Sequence, residues 1–150
     1  MDETDRAIIK ALQAEARTSI KELSAQVGLS LPATSERLRK LERSGFISGY
    51  TALLNHEKFG KHFCCFCLMT LGRHDSHHDD AFLSFIRDTP DILECHCVTG
   101  SYEYILKIVT ESPKSLDKIL VSLRDKWGVV KSSTYTVLSS VKERPSISII

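Results

Sequence analysis

Three groups of residues have the types and spacing to do chemistry. Arg37, Arg39, Lys40 and Arg43 fall within seven residues of one another in SLPATSERLRKLERSGFI. Fixed cations so closely spaced can replace the counterions condensed on DNA phosphates. The turn Thr99, Gly100, Ser101, Tyr102, Glu103 joins hydroxyls, a glycine backbone and one acid. The third group is thiol and imidazole: Cys64, Cys65, Cys67, Cys95 and Cys97, with His62, His74, His77, His78 and His96. These donors would suit a soft metal or a redox sensor, but neither C-x-C pair has the gap of about two to four residues found in zinc sites. Buried small hydrophobes are the expected role of the cysteines, and no metal or cofactor is expected. His77, His78, Asp79 and Asp80 read as a solvated helix start, where acids favour the positive end of the dipole.

The cations need a scaffold. Overall charge does not announce a nucleic-acid binder, because 20 Lys and Arg oppose 19 Asp and Glu for a net +1. The distribution is uneven: residues 1–22 carry −1, residues 23–50 carry +2 and residues 51–150 balance to zero. In DRAIIKALQAEA, Ile8, Ile9, Leu12 and Ala16 recur at helical spacing. Ser19 and Glu22 stand at capping-box spacing before a second helix, with Leu23 and Val27 inward and Gly28 ending it. A third helix begins after Ser30 as N-cap, takes Pro32 in its first turn and stops at Gly45. At about 100° per residue, Leu31, Thr34, Leu38, Leu41 and Gly45 share one face. Pro32, Ala33, Glu36, Arg39, Lys40 and Arg43 share the opposite one, with Ser35 and Arg37 on the flanks.

Two short helices, a turn and a third helix with an outward cationic face make a helix-turn-helix pattern, and the B-form major groove accepts one such helix. Ser30, Pro32, Ala33, Thr34, Ser35, Arg37, Arg39, Lys40 and Arg43 are the candidate DNA-binding residues, with small side chains allowing close approach. Double-stranded DNA is the expected partner.

After Gly45, FISGYTALLN reads as a small hairpin or an extended connector. The segments that follow are a strand at 63–71, a helix at 79–88, strands at 92–99 and 102–110, a helix at 112–127 and a strand at 130–141. This βαββαβ order, with a tight turn at Gly100, predicts a ferredoxin-like antiparallel sheet with both helices on one face. The expected class is therefore α+β: a helix-turn-helix domain over 1–50, a connector over 51–62 and a ferredoxin-like domain over 63–150. The tail ERPSISII reads as an extended arm. A charged start, MDETDRAIIK, and the lack of any run near about 18 apolar residues point to the cytoplasm, with no membrane partner and with thiols kept reduced.

The whole chain resembles the Lrp/AsnC family of bacterial and archaeal transcriptional regulators. D-x-x-D-x-x-I-(I/L)-x-x-L matches Asp2, Asp5, Ile8, Ile9 and Leu12, and S-x-x-E-L-A-x-x-V-G-L-S matches Ser19 to Ser30 with Ser24 in place of alanine. R-L-x-x-L-E-x-x-G-x-I matches Arg37 to Ile47, and V-T-G-x-x-D-Y-(L/I)-L-K-(I/V) matches Val98 to Ile108 with Glu103 in place of aspartate.

The resemblance implies a winged or extended helix-turn-helix joined to a ligand-binding domain, often called RAM. That domain dimerises through its sheet, often assembles into octamers, and binds small effectors, usually amino acids, between dimers. A free amino acid needs amides or hydroxyls for its carboxylate and an acid for its ammonium. Thr99, Gly100, Ser101, Tyr102 and Glu103 offer all three and are the candidate effector-binding residues. Two rival readings are a metal or redox sensor on the Cys and His residues, and an enzyme like the siroheme decarboxylases with His96, Tyr102 and Arg87 around a tetrapyrrole. Such an enzyme has no use for a cationic third helix, and no nucleophile–base pair, phosphate loop or paired acid site is present to suggest catalysis.

Overall fold

A computed structural model describes all residues except His74, Arg144, Pro145, Ile149 and Ile150. The chain divides into two compact units, Met1–Leu53 together with Lys142–Ile150, and Leu54–Val141. The described residues after Val141 thus group with the first unit rather than with the sheet-bearing one.

The first unit holds three helices: α1 (Glu3–Ala14), α2 (Ile20–Val27) and α3 (Leu31–Arg43). Their ends follow local chemistry. Asp2 and Asp5 form a reciprocal capping box on α1, and Ser19 and Glu22 form one on α2. Gly28 ends α2 with a left-handed φ of 68°, which a residue without Cβ adopts at no steric cost. The α3 N-cap is Ser30, whose hydroxyl accepts from the Ala33 amide. Ile8, Ile9, Leu12, Leu23 and Leu41 form the core, with Ile20, Val27, Leu38 and Ile47 packed around it.

Two expectations fail here. Ala16 is exposed, because α1 stops at Ala14 and Glu15 leaves the helix with extended backbone. Leu31 is exposed rather than inward, since the first residue of α3 lies beyond the edge of this small core. Of the two readings of the segment after Gly45 the connector holds: residues 46–55 form no hairpin and no strand before a single 3₁₀ turn, His56–Phe59, capped by Asn55.

The second unit contains β1 (Phe63–Leu71), α4 (Ser76–Asp88), β2 (Ile92–Cys97), β3 (Tyr104–Thr110), α5 (Pro113–Trp127) and β4 (Val129–Thr136). The sheet order is β2-β3-β1-β4, with every pairing antiparallel. This is the ferredoxin-like arrangement that the element order predicts. Alternate β1 residues Cys65, Cys67, Met69 and Leu71 are buried against Phe82 and Ile86 of α4 and Leu116, Leu123 and Trp127 of α5. Phe82 is fully buried, edge-on to Tyr104 at 5.3 Å and to Trp127 at 6.0 Å. Neither helix covers the other face, where Cys64, Phe66 and Leu68 of β1 line up with Ile105, Lys107 and Val109 of β3 and Ser133 and Tyr135 of β4.

β4 ends at Thr136, five residues short of the expected strand, where its pairing with Cys65 runs out. The arm ERPSISII falls partly outside the described residues, and Glu143 and Ser146–Ser148 carry no regular structure. Among the described residues no helix is long and apolar enough to cross a membrane.

Candidate nucleic-acid interface and effector turn

Helix α3 exposes Ser30, Pro32, Ala33, Arg39, Lys40 and Arg43, with Ser35 half-buried beside them. Arg39 and Lys40 make no ion pair among the described residues. Arg43 is also solvent-facing, but its Nη2 donates to Glu36 Oε1 at 2.9 Å. Tyr50 adds a contact that the sequence pattern does not show: its hydroxyl donates to Glu42 Oε1 at 3.0 Å. Burial, together with that carboxylate, pushes the phenol up to about 12.

Two candidates are corrected. Thr34 has 0% exposure and its hydroxyl donates to the Ser30 carbonyl at 3.0 Å, so it belongs to the core rather than to a DNA surface. Arg37 faces α1, where Nη1 donates to Asp2 Oδ2 at 2.6 Å and to Asp5 Oδ1 at 2.8 Å. Both are consequences of the wheel, which puts Thr34 on the inner face and Arg37 on a flank.

The β2–β3 turn is closed by the Val98 amide donating to the Glu103 carbonyl at 2.8 Å, and Gly100 turns the chain with φ 124°. Thr99, Gly100 and Ser101 are exposed, and Tyr102 is half-buried. Thr99, Ser101 and Tyr102 border an open depression floored by Leu68, Val98 and Ile105, with Cys97 at its edge.

Glu103 departs from its expected role. Its amide donates to the Met69 carbonyl at 3.0 Å and its Oε2 accepts from the Leu71 amide at 2.9 Å. The last β1–β3 pair is Met69 with Tyr104, so Leu71 lies beyond the end of β3. The carboxylate supplies the carbonyl that β3 no longer provides. Glu103 is therefore a brace of the sheet and is absent from the lining of the depression.

Sequence reasoning missed the contribution of β4. The Ser133 hydroxyl hydrogen-bonds that of Tyr102 at 2.7 Å, while Lys131 Nζ donates to the Ser101 carbonyl at 3.1 Å and sits 4.4 Å from the Tyr102 ring centroid. Strand alternation puts Lys131 and Ser133 on one face, but nothing in the spacing connects them with a turn 30 residues away.

The thiols divide by burial. Cys65 and Cys67 are buried core residues, and burial pushes the Cys65 thiol up to about 11. Cys64 and Cys95 are only half-buried and Cys97 is exposed, so the buried-hydrophobe reading fails for Cys97. No three His, Cys, Asp or Glu side chains among the described residues converge as metal ligands. His74 lies outside the described residues. His78 is not a solvated helix start: it is half-buried, with its ring 5.8 Å from Trp127. The tetrapyrrole candidates do not meet, since His96 pairs with Ile105 on the uncovered sheet face and Arg87 belongs to α4 on the other.

A tri-helical unit with an outward cationic helix, followed by a ferredoxin-like sheet with a bordered turn, defines a two-domain DNA-binding regulator. Residues 1–48 match the model of a winged helix-turn-helix DNA-binding domain, and residues 64–147 match that of the Lrp/AsnC ligand binding domain. The chain belongs to the Lrp/AsnC family of transcriptional regulators. It is 38% identical over 144 residues to the leucine-responsive regulatory protein of Escherichia coli K12, covering 95% of this chain and 88% of that one. It is also 38% identical over 146 residues to the uncharacterized HTH-type transcriptional regulator YezC of Bacillus subtilis 168, covering 97% and 99%. Among solved structures, a transcriptional regulator of Neisseria meningitidis in complex with L-methionine superposes with a TM-score of 0.92 at 28% identity, covering 99% of this chain and 96% of that one. These matches support regulation of transcription and lend nothing to the tetrapyrrole enzyme or the metal sensor.

Proposed function

We propose that this regulator grips operator DNA through the outer face of α3 and responds to an amino acid, or a related small molecule, held at the β2–β3 turn. The observation that carries the first half is the pair Arg39 and Lys40, exposed and without ion pairs among the described residues. Pro32, Ala33 and Ser35 let the start of α3 approach the bases, Ser30 caps it, and Arg43 joins the phosphate contacts by exchanging Glu36 for DNA.

The second half is supported by the depression beside Thr99, Ser101 and Tyr102 and by the L-methionine complex of the Neisseria relative. The hydroxyls of Thr99 and Ser101 and the Gly100 amide face a ligand carboxylate, while Leu68, Val98 and Ile105 receive an apolar side chain.

Assembly follows from the sheet. Its uncovered face exposes Phe66 and Tyr135, paired across β1 and β4, and a second copy burying that face forms the homodimer, with octamers built from dimers. Two recognition helices would then meet half-sites about 34–36 Å apart, so operators are imperfect palindromes. The protein works in the cytoplasm on double-stranded DNA.

A thermal-shift screen of the amino acids, followed by DNA titration with each stabilising one, tests this reading. A ligand that binds only the folded chain raises its melting temperature by mass action. At least one amino acid should do so and change operator affinity. A chain that no amino acid stabilises removes the effector half, and a monomeric mass by light scattering removes the assembly.

A further inference from the structure

Arg37 differs from every other cation on α3 in being engaged twice. Its Nη1 reaches Asp2 Oδ2 at 2.6 Å and Asp5 Oδ1 at 2.8 Å. The two acids are already occupied with one another: the Asp5 amide donates to Asp2 Oδ1 at 2.8 Å and the Asp2 amide donates to Asp5 Oδ2 at 3.1 Å. All four carboxylate oxygens therefore have a partner, two at the start of α1 and two on one guanidinium nitrogen. Asp5 is a buried residue, and a buried carboxylate stripped of its cation is strongly destabilising. The arrangement commits Nη1 to two carboxylates, although the side chain keeps 36% exposure, and ties α3 to residues 35 and 32 positions earlier in the chain.

We propose that Arg37 is a positioning residue for DNA recognition: it sets the rotation and depth of α3 against the capping box of α1, and does not itself contact phosphate. Misplacement by about 1 Å at a recognition surface is enough to lose well-aligned contacts. Base readout by α3 therefore depends on this clamp, whereas attraction to the phosphate backbone depends on Arg39 and Lys40.

The two roles predict opposite outcomes for a change outside α3. Asp2→Asn keeps the N-cap, because asparagine caps as well as aspartate, and removes one of the charges that hold Arg37. If Arg37 were a phosphate ligand, Asp2→Asn would release it and tighten binding to every duplex alike. As a positioning residue, a loosened Arg37 lowers discrimination between duplexes.

The test uses the full chain, the duplex it selects from a random-sequence pool, and a scrambled duplex of the same composition. Anisotropy titrations are run across a salt series for the parent, Asp2→Asn, Arg37→Ala and Arg37→Lys. The expected result is a ratio of selected to scrambled affinity that falls about threefold in Asp2→Asn and tenfold or more in Arg37→Ala, with partial recovery in Arg37→Lys. Affinity and salt slope on the scrambled duplex should stay at the parental values for Arg37→Ala.

A slope lowered by about 0.9 per protomer in Arg37→Ala would identify a phosphate contact and overturn the proposal. Equal tightening on both duplexes by Asp2→Asn would do the same. A lowered melting temperature with the ratio unchanged would leave the clamp a merely structural device and also reject it. Failure of the parent to select any duplex would remove the DNA-binding reading as well, an outcome distinct from these three.

Discussion

Replacing Arg39 and Lys40 together with alanine isolates the phosphate-binding share of α3. Both side chains are exposed and neither makes an ion pair among the described residues, so the change breaks no ion pair there. Alanine is also the best helix former, which keeps α3 intact. Each phosphate contact contributes about 0.9 to the slope of log affinity against log salt, so the double variant should lose roughly 1.8 per protomer and about 3.6 in a two-fold dimer. Between 50 and 200 mM salt, a fourfold change, that loss is worth about 12-fold per protomer and roughly 150-fold for the dimer. Arg43→Ala should give less than half the double variant's effect, because Arg43 already holds Glu36 and exchanges one anion for another on binding. Anisotropy titrations on one duplex over a salt series measure the slope, and circular dichroism checks the fold. A folded double variant with the parental slope would refute the assignment of the outer α3 face to DNA.

Four further outcomes are expected. Phe82→Ala removes a fully buried ring between Tyr104 and Trp127 and should cost about 3–5 kcal/mol in denaturant unfolding of the sheet-bearing unit. Glu103→Gln keeps an oxygen for the Leu71 amide, so calorimetry with a responding amino acid should give parental affinity; a loss of about 1.5–3 kcal/mol would restore Glu103 as the ammonium partner. A thiol reagent should label Cys97 first in the native protein and reach Cys65 and Cys67 only after unfolding, since burial keeps those thiols protonated. The Asp5 amide bonded to Asp2, with Arg37 in support, holds the Asp2 carboxyl below its ordinary 3.8. A depressed folded value stabilises above the unfolded one, so this contribution is whole above about pH 5 and is lost as the pH falls through the lowered value. Asp2→Asn should flatten the acid limb of helix content followed by circular dichroism.

The helices of the first unit were legible because each has a chemical mark at its start and an inward face of regular period. Ser19 with Glu22 and Ser30 with Pro32 set two of those starts correctly. The βαββαβ order was legible too, because its strands alternate and its turns carry glycine. What stayed hidden was long-range. The bonds of Arg37 to Asp2 and Asp5, of Glu103 to Leu71 and of Tyr102 to Ser133 join residues more than 30 positions apart, where no local pattern has reach. The 3₁₀ turn at His56–Phe59 is too short to show a period, and the exposure of Leu31 depends on where the core ends rather than on the wheel.

The sheet order β2-β3-β1-β4 also governs how the chain is made. β1 is the first strand synthesised and a central one when folded, and both its neighbours come later, with Phe63 awaiting Thr110 and Leu71 awaiting Val129. On the ribosome, β1 must emerge with two open edges, one waiting for β3 while α4 and β2 are translated and the other for β4 until α5 has followed. Pairings this distant form slowly, because closing a long loop comes before any contact it allows. The helices of the first unit pack on one another within residues 3–43, so that packing can form once residue 53 is clear. The three helices of the DNA-reading half are therefore packed while the sensing half is still a nascent chain, and a truncation before Thr136 strips one edge of the sheet.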